Sequence, residues 1–95
     1  MERLNFNHLF YFYIIAKEGS IKSASEKLFV SQPTISDQLK LLESYLGCQL
    51  FLRQNRGLTL TQEGELALEY AEKIFGISTE MNTLATNPAQ LFSRR

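Results

Sequence analysis

The sequence predicts a mainly α-helical fold, in which three short helices and a β-hairpin precede one long helix. Three observations lead to this prediction. Apolar residues up to position 46 recur at steps of three and four, as they do on one face of a helix. Between residues 50 and 60 the pattern becomes extended around a turn signal. From Gln62 to about Ala85 the helical period returns, and no proline interrupts it.

Composition limits the class of protein. A chain of 95 residues that is 44% hydrophobic is expected to form one domain with its own core. The single cysteine, Cys48, excludes an internal disulfide framework and is typical of a reducing cytosol. The longest apolar run, Leu9 to Ala16, is too short to span a membrane. We therefore expect a cytoplasmic protein without a membrane partner.

Charge is unevenly distributed, although the chain carries no net charge. Residues 1–60 contain seven basic and five acidic residues, whereas residues 61–95 contain three basic and five acidic residues. The first part of the chain therefore has a charge of +2 and the second a charge of −2. This asymmetry permits a basic, nucleic-acid-binding face on the first two-thirds of the chain.

The first helix is predicted to begin after an N-cap at Asn7 and to end near Glu18, before Gly19. It has one apolar face with Leu9, Phe12, Tyr13 and Ala16, and a second with Phe10, Tyr11 and Ile14. A helix that is apolar all round must be covered on both sides, so the second face needs another element, which a second subunit could supply. His8 is interpreted as an ordinary helix-terminal residue, because no second histidine is present to complete a metal site.

The next two helices predict a helix-turn-helix motif at about residues 21–40. Ser20 is a good N-cap for a helix over residues 21–28, and Phe29 and Val30 form a tight turn. The following helix begins at the N-cap Ser31 and ends at Gly47, with an inner stripe of Ile35, Leu39, Leu42 and Leu46. Its outer face is small and polar, with Pro33, Ser36, Asp37, Lys40 and Ser44. Such a helix can lie in a groove without clashing.

A β-hairpin is predicted at about residues 50–60, with the turn signal Gln54-Asn55-Arg56-Gly57 between two extended runs. Arg53 lies at its shoulder and Arg56 at its tip. Beside a helix-turn-helix, such a hairpin is a wing that reaches phosphates or a minor groove; the alternative is a solvated turn. Residues 1–61 are thus predicted to form a winged helix-turn-helix domain.

The long helix, predicted over residues 62–86 with Thr61 as its cap, carries an apolar seam of heptad type. The seam consists of Ala67, Tyr70, Ile74, Ile77, Met81 and Leu84. At about 1.5 Å per residue the helix would span roughly 35 Å, more than the preceding domain needs. We expect a homodimer through this seam, with Phe10 and Ile14 of the first helix contributing; the alternative is packing onto its own domain. Residues 87–95 are interpreted as the start of a linker or a frayed tail.

Several of these residues together resemble the DNA-binding domain of LysR-type transcriptional regulators. They are Ser31-Gln32-Pro33-Thr34-Ile35-Ser36, Gln38-Leu39-Lys40, Leu42-Glu43, Leu46-Gly47, Leu50-Phe51, Arg53 and Leu58-Thr59-Leu60-Thr61-Gln62-Glu63-Gly64. Within that family, Asn5-Phe6-Asn7-His8-Leu9, Tyr70-Ala71-Glu72-Lys73 and Glu80-Met81 look most like activators of sodium/proton antiporter genes. Asp37 departs from the pattern, since many members have a basic or aromatic residue there.

The resemblance implies a homodimer that places two recognition helices in successive major grooves of operator DNA. It also implies that full-length members carry a larger C-terminal effector-binding domain and act on RNA polymerase. We expect this chain to lack that domain, and therefore to bind DNA in the nucleoid without a small-molecule effector.

Chemistry assigns roles within this DNA-binding interpretation. Gln32 can pair with adenine, while Pro33 and Thr34 can contact a thymine methyl group. Phosphate contacts or support for them are expected from Ser20, Lys22, Ser23, Ser31, Ser36, Lys40, Arg53 and Arg56. Asp37 could accept from a cytosine amino group or pair with a basic side chain.

Two other classes of function compete with DNA binding. One histidine, one cysteine and no glycine-rich phosphate loop leave no nucleophile–base pair or metal cluster, so we expect no enzyme activity and no cofactor. A helical protein-interaction module without direct DNA readout remains the alternative, which the long seam and the zero net charge favour.

Overall fold

The computed structural model describes residues 3–54 and 57–85, with the side chains of Leu84 and Ala85 excepted. Its elements follow in the order α1, α2, α3, β1, β2 and α4, which confirms the predicted fold class. Their bounds are Phe6–Glu18 for α1, Ile21–Leu28 for α2, Gln32–Leu46 for α3, Phe51–Gln54 for β1, Gly57–Leu60 for β2 and Gln62–Ala85 for α4. The predicted tail at residues 87–95 lies outside the described residues.

The helix ends are set by local side chains, with one correction. The N-cap of α1 is Asn5 and not Asn7: Asn5 Oδ1 accepts hydrogen bonds from the backbone N–H groups of Asn7 and His8. Ser20 and Ser31 cap α2 and α3 as predicted. Gly47, with φ of 75°, ends α3 in the left-handed conformation that glycine favours.

Phe29 ends α2 in the left-handed region, with φ of 57°, and is 95% exposed. This conformation is uncommon for a residue with a large side chain. It lets the chain reverse within three residues, so that α3 begins at Gln32 across the end of α2. The tight turn is therefore made by an aromatic residue where glycine would have been free of strain.

The core forms around α1. Leu9, Phe12, Ile14 and Ile15 of this helix are buried. Other buried residues join them from the remaining elements: Ala24, Ile35, Leu39, Leu42, Leu50 and Ala71. The helix is covered on both sides, as its all-round apolar sequence requires, but by α2 and α3 on one side and by α4 of the same chain on another.

This packing corrects the expectation for the second face of α1. Ile14, predicted to face a second subunit, is only 7% exposed and belongs to the core of its own chain. Phe10 is half-buried, and its ring meets the edge of Phe75 of α4 at a centroid distance of 5.3 Å. Phe75 also contacts the ring of Tyr13, at 5.2 Å. An element of the same chain therefore supplies most of the cover that a subunit was expected to supply.

The hairpin is antiparallel, and its register pairs Phe51 with Leu60 and Arg53 with Leu58. Its base is packed on the core: Leu50 is buried, and Phe51 lies against Phe12 at a ring distance of 5.4 Å. Leu52, Arg53 and Gln54 are exposed, so the hairpin projects from the domain.

The apolar seam of α4 divides between two neighbouring stripes. Ala67 and Ile74 are half-buried and pack against the core of the chain. Tyr70, Ile77 and Met81 are 58%, 67% and 69% exposed. The predicted single seam is thus wrong in this respect, because part of it is used within the protomer. None of the helices in the described part of the chain is long and apolar enough to cross a bilayer.

Candidate nucleic-acid interface

A groove of about 920 Å³ runs between the start of α2, the outer face of α3 and the hairpin. It is lined by Ser20, Ile21, Lys22, Ser25, Gln32, Pro33, Ser36, Arg53, Gly57 and Leu58. Six of the predicted DNA-binding residues therefore meet here: Ser20, Lys22, Gln32, Pro33, Ser36 and Arg53. They come from α2 and its N-cap, from α3, and from β1, which follows α3 in the chain.

The first turn of α3 presents its polar side chains to solvent because the helix is anchored from the opposite side. Ile35 is completely buried, whereas Gln32, Pro33 and Thr34 in the turn before it are exposed. Ser31 Oγ accepts from the backbone N–H of Thr34 at 3.3 Å and donates to Thr34 Oγ1 at 2.8 Å. This pair fixes the Thr34 hydroxyl at the helix start, and neither Ser31 nor Thr34 lines the groove.

The start of α2 forms the opposite wall. Ser20 Oγ accepts from the backbone N–H of Ser23 at 3.0 Å, which satisfies a free donor at the helix N-terminus. Lys22 is exposed on the groove, whereas Ser23 is half-buried and does not line it. The capping bond uses an acceptor lone pair of Ser20, so its hydroxyl hydrogen remains available to a phosphate.

The hairpin closes one end of the groove with Arg53, Gly57 and Leu58. Arg53 also lines a neighbouring hollow with Ser36, Lys40 and Glu43, so Lys40 lies next to the groove and not in it. The predicted tip residue Arg56 lies outside the described residues.

The electrostatics of the groove are one-sided. Among the described residues, its lining contains the cations Lys22 and Arg53 and no carboxylate. Two ion pairs among the described residues use other lysines: Lys17 with Glu72 at 3.7 Å, and Lys27 with Glu18 at 3.5 Å. The acidic residues of α4 do not line the groove. The excess negative charge of the second part of the sequence is therefore separated from the two cations of the groove.

Some residues of the groove were not predicted from the sequence, and Asp37, like Ser23, Ser31, Thr34 and Lys40, does not line it. Ser25 was not among the predicted binding residues, although its spacing of three from Lys22 places it on the same side of the helix. Gly57 was treated only as part of a turn. Asp37 is exposed and lines neither hollow.

Metal ligands do not cluster among residues 3–54 and 57–85, where no three His, Cys, Asp or Glu side chains could hold an ion. The groove is instead a hydrogen-bonding and cationic surface. Amides and hydroxyls suit base edges, and cations suit phosphates.

Comparison with known proteins gives a family match over the whole of this region. Residues 6–65 match the model of bacterial regulatory helix-turn-helix proteins of the lysR family. The Transcriptional activator protein NhaR of Escherichia coli is 44% identical over 81 residues, which is 85% of this chain and 27% of that protein. The HTH-type transcriptional regulator PtxR of Pseudomonas aeruginosa is 41% identical over 76 residues, 80% of this chain and 24% of that protein. The chain thus spans about a quarter of the length of these relatives.

Solved structures match the fold closely. The BenM_DBD/catB site 1 DNA complex has a TM-score of 0.81 and 34% identity, covering 90% of this chain and 96% of the matched one. The CbnR_DBD–DNA complex has a TM-score of 0.76 and 35% identity, covering 90% of this chain and 98% of the matched one. Both are structures with DNA.

Proposed function

Because this chain belongs to the LysR family of bacterial regulatory helix-turn-helix proteins, we propose that it binds double-stranded operator DNA sequence-specifically. The observation that carries the proposal is the groove in which Gln32, Lys22 and Arg53 meet without a carboxylate. The recognition helix α3 would lie in the major groove, with the hairpin on the backbone or in the minor groove.

The contacts divide by chemistry. Gln32, Pro33 and Thr34 lie at the exposed start of α3 and would contact base edges. Phosphate contacts would come from Lys22 and Ser20 at the start of α2, from Ser36 and Lys40 along α3, and from Arg53 and Arg56 of the hairpin. Ser23 and Ser31 would support these contacts as parts of the two helix caps.

The chain would act as a homodimer, because operator half-sites are read by paired domains. Its contact surface would be the exposed stripe of α4 formed by Tyr70, Ile77 and Met81, together with a groove between α1 and α4 that Phe10 and Ile74 help to line. Ala67, which is half-buried against the core, would contribute its exposed part. The side chain of Leu84, also predicted for this surface, lies outside the described part of the structure.

In a longer protein, this domain would serve a non-enzymatic activator in the cytoplasm that acts with RNA polymerase. The name of the Escherichia coli relative supports the activator role. The resemblance of Asn5 to Leu9 and of Tyr70 to Lys73 supports sodium/proton antiporter genes as targets.

The first test is a titration against a pool of random duplexes at two salt concentrations, followed by sequencing of the bound fraction. We expect an interrupted palindrome and an affinity that falls steeply with salt, because phosphate contacts release counterions. Absent or salt-independent binding would contradict the proposal and favour a protein-interaction module, which the exposed stripe of α4 would then serve.

A single substitution tests direct readout. Gln32→Ala should lower discrimination between the selected and a scrambled duplex by about 1–3 kcal/mol, the value of a bidentate base contact. Gln62→Ala removes an exposed glutamine that does not line the groove and should leave discrimination unchanged. Equal losses on both duplexes for Gln32→Ala would exclude base readout by this residue.

A further inference from the structure

The base of the hairpin is tied to both α3 and α4 by hydrogen bonds around Leu50, a cluster we call the wing-base clip (Glu43, Gln49, Leu50 and Thr61). Glu43 Oε2 of α3 accepts from the backbone N–H of Leu50 at 2.7 Å. The Leu50 carbonyl oxygen accepts from the backbone N–H of Thr61 at 3.0 Å. Thr61 Oγ1 donates to the Gln49 carbonyl oxygen at 2.7 Å and accepts from the backbone N–H of Gly64 at 2.9 Å.

The position of the clip in the chain gives it control of the hairpin. Leu50 immediately precedes β1 and Thr61 immediately follows β2, so the clip holds both ends of the hairpin at once. A two-stranded hairpin has little stability of its own, and its direction depends on what holds its base. Arg53 is exposed three residues beyond Leu50. The clip, together with the packing of Leu50 and Phe51 on the core, therefore sets the direction in which Arg53 leaves the domain.

Glu43 is the only member of the clip that belongs to the recognition helix. Its side chain is half-buried and directed at a backbone N–H at 2.7 Å, the short distance of a charge-assisted bond. An anion cannot contact phosphate favourably, so a phosphate contact does not explain a carboxylate that lines a hollow with Lys40 and Arg53.

We propose that Glu43 is a positioning residue for DNA binding: its bond to Leu50 fixes the hairpin relative to α3, and so fixes the distance between Gln32 at the bases and Arg53 at the backbone. This inference rests on the proposed function. Without the bond, α3 can still enter the major groove, but the hairpin no longer holds Arg53 at its phosphate.

The test compares Glu43→Ala with Glu43→Gln in the 95-residue chain, on the selected and scrambled duplexes over a range of salt concentrations. Both variants remove the same negative charge, but glutamine keeps an oxygen that can accept from Leu50. We expect Glu43→Ala to weaken binding roughly tenfold on both duplexes and to reduce the salt slope by about 0.9 for each phosphate that the protein no longer neutralises. Glu43→Gln should restore the wild-type slope. An alanine variant that matches the glutamine variant would overturn the proposal.

A second comparison separates positioning from general destabilisation. Arg53→Ala should reduce the salt slope in the wild-type chain and have no further effect in the Glu43→Ala background, because Arg53 no longer reaches its phosphate there. Additive losses would show that Glu43 acts independently of the hairpin. If Glu43→Ala does not fold, Thr61→Val and Thr61→Ser provide the same comparison at the other end of the clip. Valine removes the hydroxyl that donates to Gln49, whereas serine keeps it.

Hydrogen exchange keeps this inference distinguishable from the proposed function, because it needs no DNA. The Leu50 amide should exchange faster in Glu43→Ala than in Glu43→Gln, while the Ile35 and Leu39 amides at the centre of α3 keep their protection. An unchanged Leu50 amide would overturn the clip itself. If the wild-type chain did not bind DNA, the proposed function would be contradicted. The exchange result would then still show whether the Glu43–Leu50 bond is formed.

Discussion

At the scale of single residues, α4 passes so close to the hairpin base at Gly64 that this position has no room for a side chain. A Cβ atom on Gly64 would overlap the carbonyl oxygen of Leu50 and would lie 3.0 Å from Cδ2 of Leu60. The backbone carbonyl is held by the Thr61 N–H and cannot move away cheaply. Close approach, and not a special backbone angle, therefore explains this glycine of the Thr61-Gln62-Glu63-Gly64 motif.

Gly64→Ala should lower the free energy of unfolding by about 1–3 kcal/mol or more, the usual range for overpacking in a tight site. Gly76→Ala is the matched control in the same helix, where an added Cβ meets nothing within 4 Å. It should raise the free energy of unfolding by roughly 0.5–1 kcal/mol through helix propensity. Urea denaturation followed by circular dichroism measures both, and a Gly64→Ala variant as stable as wild type would contradict the predicted clash.

At the scale of elements, α4 has two neighbouring apolar stripes, one buried against its own chain and one exposed. Ala67, Ala71 and Ile74 face the core of the chain, while Tyr70, Ile77 and Met81 face solvent. Substitutions on the two stripes should therefore have different consequences, although the sequence pattern treats Ile74 and Ile77 alike.

Ile77→Asp should abolish self-association and leave the protomer folded, because it places a charge in the exposed stripe. Ile74→Asp should instead destabilise the protomer, since its carboxylate would be half-buried against the core without a partner. Sedimentation velocity gives the oligomeric state, and thermal unfolding gives the stability. An Ile77→Asp chain that still forms dimers would assign the dimer contact to another surface.

At the scale of the whole molecule, the proposed dimer would link association to folding. If the exposed stripe is buried by a second copy, the midpoint of thermal unfolding should rise by a few degrees for each tenfold increase in protein concentration, because association stabilises the folded state by mass action. Ile77→Asp should remove this dependence. A wild-type midpoint that stays constant over a hundredfold range of concentration would contradict a dimer of this chain.

The sequence by itself determined the identity, order and nearly all the bounds of the elements. Ser20, Ser31 and Gly47 set helix ends through contacts within a few residues. Such local contacts can be predicted from the sequence without knowledge of the tertiary structure. The same holds for the exposed start of α3, since Ile35 and Leu39 fix which side of that helix is inside. The exception, Asn5 in place of Asn7, arises because two equivalent caps stand two residues apart.

Only the tertiary structure decided which apolar surfaces are covered within the chain and how the hairpin is held. The burial of Ile14 and the division of the α4 seam depend on where α4 crosses α1, and steps of three and four do not specify that crossing. The bond from Glu43 to Leu50 depends on the reversal of the chain at Gly47. These features arise from contacts between elements, whose geometry is fixed when the elements pack together and not by the local pattern of any one of them.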